Sequence, residues 1–498
     1  MSPDHSSEGV DGRQASPRSF LYVFPKVALP MFLALSDQSI VAAALPAIAG
    51  SIGSVEQVSL VVIGYLIAAT IAAPVYGRLG DLFGRRILLL CALTIFMSSS
   101  IICLLSQNLA MLVAGRVLQG LGGGGLMALS QALIGETVEP RERARYQGYL
   151  ASVGVTSNAL GPVLGGILTE NFGWRSVFLF SVPVSLLAFW LISRLPKRSA
   201  NNRAMKFDYY GLLLFACFVV SMLLLLDRVQ SFEPSEIPAI LALLAVAMVS
   251  ISLLVAVEHR VAAPLLPVDL FRHPAIWRAN AVAACHGGIL VSLLTFVPIQ
   301  LRVVHGASAA EIGLLIAPMT VGIGIGSLIT GQIVSRTGRT AILPSWGLVF
   351  ATTGLVLIAF FVSDFGPLQL STSLGLMALF MGTVMSVVQV TVQSAAGQAK
   401  IGAGAASVQY SRSMGAALGT AFTAAVLFSM LSGTDPEAGR LFGHVLQDGM
   451  AALHDLPAER AKAIQAEFAQ SFRAAFLAIA GMAAVAAVLN WTMPLRRI

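Results

Sequence analysis

Charge is what this 498-residue sequence has least of: Asp, Glu, Lys and Arg together make up 11% of it, where a soluble domain carries roughly a quarter. With 56% hydrophobic residues and a mean hydropathy of +0.82, it has too little polar surface to cover itself in water. A soluble enzyme or soluble binding domain is excluded. Cysteine is also scarce. Cys91, Cys103, Cys217 and Cys285 each fall within an apolar run without metal-ligand spacing, which argues against a zinc site or a disulfide framework. No phosphate loop follows a strand, since GIGIGS at Gly322–Ser327 lies inside an apolar run, so ATP drive has no support. No nucleophile–base pair or metal cluster is legible, so a membrane enzyme has no support either. Residues 1–19 contain no apolar core; no cleavable signal is expected, and the first apolar run is expected to serve as the insertion signal. The net charge of +7 comes from short basic clusters between apolar runs. That is the pattern of a bilayer orientation signal, not of a nucleic-acid surface.

What the chain does contain is long apolar runs, each sufficient to cross about 30 Å of hydrocarbon. Punctuation by charge, Pro and Gly divides them into fourteen predicted spans: 22–46, 57–77, 87–106, 109–132, 146–168, 175–195, 208–226, 237–257, 277–300, 309–332, 341–362, 367–391, 404–430 and 473–494. An even number places both termini on one side. The segments on that side carry most of the 31 Lys and Arg residues, Arg78, Arg85, Arg86, Arg141, Arg143 and Arg145 among them. The positive-inside rule then predicts cytoplasmic termini. One connection is long, the external loop 431–472. Its second half spaces Ala461, Ile464, Phe468 and Phe472 at helical intervals between charges, which predicts an amphipathic helix on the outer interface or a solvated loop helix.

Two turns repeat. GRLGDLFGRR (Gly77–Arg86) follows span 2, and GQIVSRTGRT (Gly331–Thr340) follows span 10 on the same side; they share Gly77/Gly331, Gly84/Gly338 and Arg85/Arg339. Such a repeat predicts two parallel halves. The expected layout is a 1–21 tail, an N-terminal six-helix bundle over 22–195, a linker with two inserted helices over 196–276, a C-terminal bundle over 277–494 and a 495–498 tail. In the first copy the glycines permit a tight turn, and Asp81 can pair with an arginine or a helix N-terminus. In the second copy Ser335 stands where an Asp would, so its hold on the facing bundle is expected to be weaker.

The pattern G-x-L-x-D-x-x-G-R-R of Gly77, Leu79, Asp81, Gly84, Arg85 and Arg86 resembles the signature loop of the major facilitator superfamily. Three further stretches resemble its fourteen-span drug:proton antiporters. SNALGPVLGG matches the antiporter signature at Gly161, Pro162, Gly165 and Gly166, with Ser157 in place of the leading glycine. RVLQGLGGGG supplies Arg116, Gln119 and Gly120 of an R-x-x-Q-G signature. LSDQSIVAAALP matches L-D-x-T-I-V-N-V-A-L-P at Asp37, Ile40, Val41, Ala44, Leu45 and Pro46, with Ala42 where the family has Asn. The resemblance implies an all-α membrane protein of the major facilitator fold: two six-helix bundles plus two inserted helices, with N- and C-termini inside. It implies a multidrug-efflux transporter of the bacterial cytoplasmic (inner) membrane that confers antibiotic resistance by alternating access. No cofactor is expected beyond the proton gradient. The expected partners are lipid, protons and a small-molecule substrate, with no nucleic acid. Quaternary state is open between a monomer and pairing with periplasmic adaptor proteins.

The residues themselves place a carboxylate and a guanidinium within the bilayer. At about 1.5 Å per residue, Asp37 lies about 14 Å from the outer end of span 1 and Arg116 about 10 Å from that of span 4. Similar depth allows a pair across a cavity. Burial disfavours the carboxylate charge while a guanidinium favours it, so Asp37 with Arg116 is the expected proton-coupling pair; a static pair fixing helix packing is the alternative. The turn residues Gly77, Asp81, Gly84, Arg85, Arg86, Gly338 and Arg339 are the expected conformational latch. Tyr65, Gln119, Asn158, His286, Gln389, Gln393 and Arg412 are candidate cavity residues. With Asp37 the one carboxylate well inside the hydrocarbon, divalent cationic drugs are disfavoured against lipophilic monocations, neutral compounds or anions. The expected function is proton-coupled export of small lipophilic compounds. A proton-coupled importer is the alternative, opposed by the span 5 signature. An uncoupled lipid translocator or receptor is opposed by the complete first turn and the buried Asp37.

Overall fold

Bilayer offers no water to satisfy backbone amides, so apolar runs of this length fold as helices. The computed structural model describes residues 17–52, 60–196, 208–231, 237–261, 268–307, 309–362, 365–434, 441–442 and 457–497. Among them are fourteen long helices: α1 (Pro17–Ile52), α2 (Leu60–Phe83), α3 (Arg85–Leu104), α4 (Leu109–Thr137), α5 (Pro140–Phe172), α6 (Ser176–Ser193) and α7 (Tyr209–Ser231). They continue with α8 (Ile237–Glu258), α9 (Pro274–His305), α10 (Ala309–Thr337), α11 (Ile342–Phe361), α12 (Pro367–Ala396), α13 (Ile401–Thr434) and α14 (Ala458–Trp491). Thirteen are long and apolar enough to cross a membrane; α7 has a shorter apolar helix, Tyr209–Leu225. Local chemistry sets several ends. Asn108 caps α4 by accepting from the Met111 amide at 2.8 Å, and α5, α9 and α12 begin on Pro140, Pro274 and Pro367, where a missing N–H costs nothing.

The apolar core forms two bodies. One gathers side chains of α1 to α6, such as Leu33, Phe96 and Leu129; the other gathers α9 to α14, such as Phe296, Met381 and Phe476. The inserted α7 and α8 make a smaller cluster in which Phe215, Phe218 and Met222 meet Met414 and Ala417 of α13, with Ile71 of α2 against them. The inserted hairpin thus lies over the line where a helix of each bundle meets. The linker stretch 197–207, the tail 1–16 and loop residues 435–440 and 443–456 lie outside the described residues.

The predicted amphipathic segment lies elsewhere than expected. Ala458–Trp491 is one continuous helix, and Ile464, Phe468 and Phe472 are fully buried against the C-terminal bundle with Phe442. Its apolar face is covered by the C-terminal bundle, and the last helix starts at Ala458, ahead of the predicted span start at 473. The amphipathic pattern recorded that one face is buried, which a neighbouring bundle satisfies as well as an interface.

GIGIGS is explained by packing. A Cβ on Gly326 would meet the Leu379 carbonyl of α12 and, at 3.3 Å, the Cα of Gly382; α10 and α12 therefore touch backbone to backbone. Gly326→Val is expected to lower the stability of the detergent-solubilised protein by about 1–3 kcal/mol, read as an earlier loss of the monodisperse peak in a thermal size-exclusion series.

Candidate functional site

Three sites follow from this packing. The first lies inside the N-terminal bundle. Asp37 of α1 and Arg116 of α4 are 2% and 1% exposed, and Arg116 Nη1 donates to Asp37 Oδ2 at 2.5 Å. Gln119, one turn along α4, completes the ring: its Oε1 accepts from Arg116 Nη1 at 2.6 Å and its Nε2 donates to Asp37 Oδ1 at 2.9 Å. Gln119 Nε2 also donates to Ser100 of α3 at 2.8 Å. Ser181 of α6 donates to Asp37 Oδ1 at 3.4 Å, and Arg116 Nε donates to the Val61 carbonyl of α2 at 3.2 Å. The Tyr65 ring lies 4.4 Å from the guanidinium carbon, and its hydroxyl donates to the Ala34 carbonyl at 3.3 Å. The i, i+3 spacing of Arg116 and Gln119 puts both on one face of α4, and the four helices α1, α2, α3 and α6 converge on that face.

Depth arithmetic therefore brought Asp37 and Arg116 together, but not across a cavity: both sit within one bundle. Tyr65 and Gln119, expected to line the cavity, belong to this buried network instead. The glycines beside Gln119 are responsible. A Cβ on Gly120 would meet the Tyr65 carbonyl, and one on Gly122 the Ala92 carbonyl at 2.8 Å, so α4 is wedged between α2 and α3 and turns its polar face inward.

The α5 signature packs directly beside this network. A Cβ on Gly161 would strike Ser39, and one on Gly165 would meet the Ile40 carbonyl at 2.6 Å, both on α1 just past Asp37; Gly166 faces open space. Pro162 lies within α5 at this contact. Asn158 Oδ1 accepts from Ser39 at 3.4 Å.

The second site is the turn end of the molecule. Arg85 donates to Asp81 Oδ1 at 2.9 Å, to Glu136 Oε2 at 2.5 Å and to the Ala132 carbonyl at 2.7 Å. The Asp81 carboxylate also accepts from the amides of Gly402 and Ala403 at 3.1 and 3.3 Å. It thus caps the N-terminus of α13 from the opposite bundle, where unsatisfied amides and the helix dipole favour an anion. Gly77 allows this approach, because a Cβ there would meet Ala406 and the Gly402 carbonyl at 2.9 Å. Gly84 has φ +86 and Gly338 φ +64, conformations that L-residues rarely adopt. Arg86 donates to the Ser193 carbonyl at 2.7 Å. The second turn pairs differently: Ser335 donates to Glu142 Oε1 of α5 at 2.8 Å, and the backbone of Arg339 forms an isolated antiparallel β-bridge with that of Arg497 in the C-terminal segment.

The third site is a cavity of about 180 Å³ between the bundles. Of the predicted cavity residues, Asn158, His286, Gln389 and Arg412 line it. Gln393 does not; its Nε2 donates to the Gln131 carbonyl at 3.0 Å, joining α12 to α4 across the bundle boundary. Sequence reading missed Gln131, Gln147, Ser327 and Ser386, which also line the cavity. Single neutral polar residues in long apolar helices carry no signal of which face looks inward. Buried groups on this wall without hydrogen-bond partners include His286 Nδ1, Gln389 Nε2, Gln147 Nε2 and Ser386 Oγ. The described residues contain no group of three or more potential metal ligands.

Residues 27–420 match the Major Facilitator Superfamily. An uncharacterized MFS-type transporter of Mycobacterium tuberculosis is 32% identical over 487 residues, 96% of this chain and 70% of its own. The multidrug transporter protein MdtP of Bacillus subtilis is 30% identical over 399 residues, covering 80% of this chain and 74% of its own. Among solved structures, that of the human organic anion transporter MFSD10 superposes with a TM-score of 0.65 at 16% identity, over 94% of this chain and 99% of that one. The proton:xylose symporter XylE superposes at 0.61 and 15%, over 95% and 96%. Both likenesses are of fold.

Proposed function

The chain belongs to the major facilitator superfamily and is a multi-pass membrane transporter, and on that premise we propose that it exports small lipophilic compounds in exchange for protons by alternating access. Efflux is favoured by relatives whose names say multidrug transporter or efflux pump. Proton coupling rests on one observation, the setting of Asp37. Its carboxylate is nearly sealed from solvent and carries the charge that compensates Arg116. Neutralising it by protonation leaves a buried guanidinium without its counter-charge, a loss of about 3–5 kcal/mol when a buried pair is broken. The protonated state therefore favours a helix arrangement in which Arg116 is satisfied otherwise. The contact of Gly161 and Gly165 with α1 transmits that rearrangement to α5, which faces the cavity and packs on α10 across the bundle boundary.

In this reading the turn end faces the cytoplasm, as its basic residues favour, and the Asp81 latch holds it closed. Proton entry from outside and substrate entry from inside then select opposite states of the same bundles.

Purified protein in liposomes with an acidic lumen tests the exchange. Substrate is expected to accumulate in the lumen severalfold above equilibrium while the lumen turns alkaline, and nigericin is expected to stop both. Accumulation that requires an alkaline lumen would identify a symporter, and accumulation indifferent to the gradient would end the coupling proposal.

A further inference from the structure

Arg116 has a carboxylate partner; Arg412 does not. Arg412 lies on α13 about 17 Å from the start of the helix at 1.5 Å per residue, and its side chain enters the cavity between the bundles. Its hydrogen bond goes to a neutral acceptor, Gln409 Oε1, at 3.2 Å. No carboxylate ion-pairs with it among the described residues. A Cβ on Gly287 of α9 would meet Arg412 Cγ at 3.1 Å as well as its carbonyl, so α9 packs closely against the Arg412 stem. With Asp37 matched by Arg116, the charge left over in the middle of the bundle is positive.

The rest of the wall reads the same way. Among the described residues no carboxylate lines the cavity, and Arg412 is its one formally charged residue. The polar groups on this wall that lack partners include the amide nitrogens of Gln389 and Gln147 and the hydroxyls of Ser386 and Ser327, all able to donate, against one pure acceptor, Gln131 Oε1. His286 and Gln389 are 3% and 4% exposed. Much of the remaining lining is apolar and polarisable, with Met31, Met127 and Met385 among it, which adapts to varied apolar bodies. A cation would meet an unpaired guanidinium in low dielectric; an anion would satisfy it together with several donors that now have no partner.

We propose that this cavity is the binding site for a lipophilic organic monoanion, its acid group held by Arg412 with Gln389 and His286 and its apolar body against the methionines. The proposal rests on the exporter reading for direction and deepens it by naming the substrate class.

A matched probe set sharing one apolar body tests it: 2-naphthoate, its methyl ester, and the corresponding naphthylmethyl trimethylammonium ion. Binding is measured on the purified full chain in nanodiscs, and accumulation in acid-lumen proteoliposomes. The carboxylate is expected to bind at least about tenfold more tightly than the ester or the cation, the yield of one charge-assisted bond. Arg412→Gln is expected to remove that preference while retaining ester binding, and Arg412→Lys to keep part of it, as a point charge without the fork. Because Arg412→Gln removes an unpaired buried charge, its thermal stability is expected to match or exceed wild type. Equal affinity of wild type for all three probes, a preference for the cation, or an Arg412→Gln protein that still prefers the carboxylate would overturn the proposal. Carboxylate-selective binding without gradient-driven accumulation would instead overturn the exporter reading and leave the anion site standing.

Discussion

An Asp37→Asn protein is expected to bind substrate and equilibrate it across the membrane yet to accumulate none against a gradient, its uphill transport falling to the level of empty liposomes. Asparagine keeps the shape of the side chain but offers one acceptor oxygen where the carboxylate has two. Those two oxygens now receive Arg116 on one side and Gln119 and Ser181 on the other. In the amide, either the guanidinium or the Gln119 amide nitrogen faces an NH2 group, and the counter-charge of Arg116 is gone in every state. The switch is then fixed in its protonated condition. A static ion pair that only secures helix packing would also be damaged by this change, so a second variant separates the two roles. Asp37→Asn combined with Arg116→Gln removes both charges and the desolvation burden with them. If the pair is structural, the double variant recovers folding and transport together. If Asp37 carries the proton, it recovers folding, read as thermal stability in detergent, while uphill transport stays absent. Lumen alkalinisation upon substrate addition is the measurement that decides, and a double variant that alkalinises the lumen at the wild-type rate would sink the coupling role.

How much of this was visible in the sequence depends on what each signal encodes. Hydropathy encodes length, so the helices of both bundles were found, though most extend past their apolar runs. α5 starts at Pro140, ahead of its apolar run, because a helix end outside the hydrocarbon needs no apolar residues, and α13 starts at Ile401 because its first turn is buried against the other bundle, where Asp81 caps it. Position along a helix encodes depth, so Asp37 and Arg116 were correctly placed at one level. Neither signal encodes rotation. In a chain that is 56% hydrophobic the contrast between the faces of a helix is weak, and whether α4 turns Gln119 to the cavity or to α1 is settled by the glycine contacts with α2 and α3. The same holds for Asp81. Its turn was recognisable and its affinity for a helix N-terminus was expected, but that the helix is α13, whose Gly402 lies 321 positions away, follows only from the packing of α2 on α13. Gln131 and Gln147 were missed because a lone amide in an apolar helix looks alike whether it faces a cavity or a neighbour.

The turn end supplies the other large effect. Asp81→Asn is expected to loosen the closed turn end and speed its opening to solvent. The carboxylate accepts two backbone amides of the opposite bundle and one guanidinium bond of its own, and it sits on the positive end of α13. Losing one acceptor oxygen and the charge removes about 2–3 kcal/mol of charge-assisted bonding and dipole interaction, roughly a 30- to 150-fold shift in the ratio of closed to open turn ends. A single cysteine at Gln393, introduced after Cys91, Cys103, Cys217 and Cys285 are replaced by Ala or Ser, reports it. Gln393 is 1% exposed at the bundle boundary, so a charged maleimide added from the turn side is expected to label it slowly in the parent and at least about tenfold faster in the Asp81→Asn variant. Asp81→Glu keeps the charge but displaces it by a methylene, and is expected to fall between. Ser335→Ala at the second turn removes one neutral-to-charged bond, Ser335 to Glu142, and is expected to change labelling less than Asp81→Asn does. Equal effects at the two turns would mean that the latch is distributed evenly. A larger effect at Asp81 means that the junction of α2 with α13, beneath the inserted α7–α8 hairpin, is where the closed state is chiefly held.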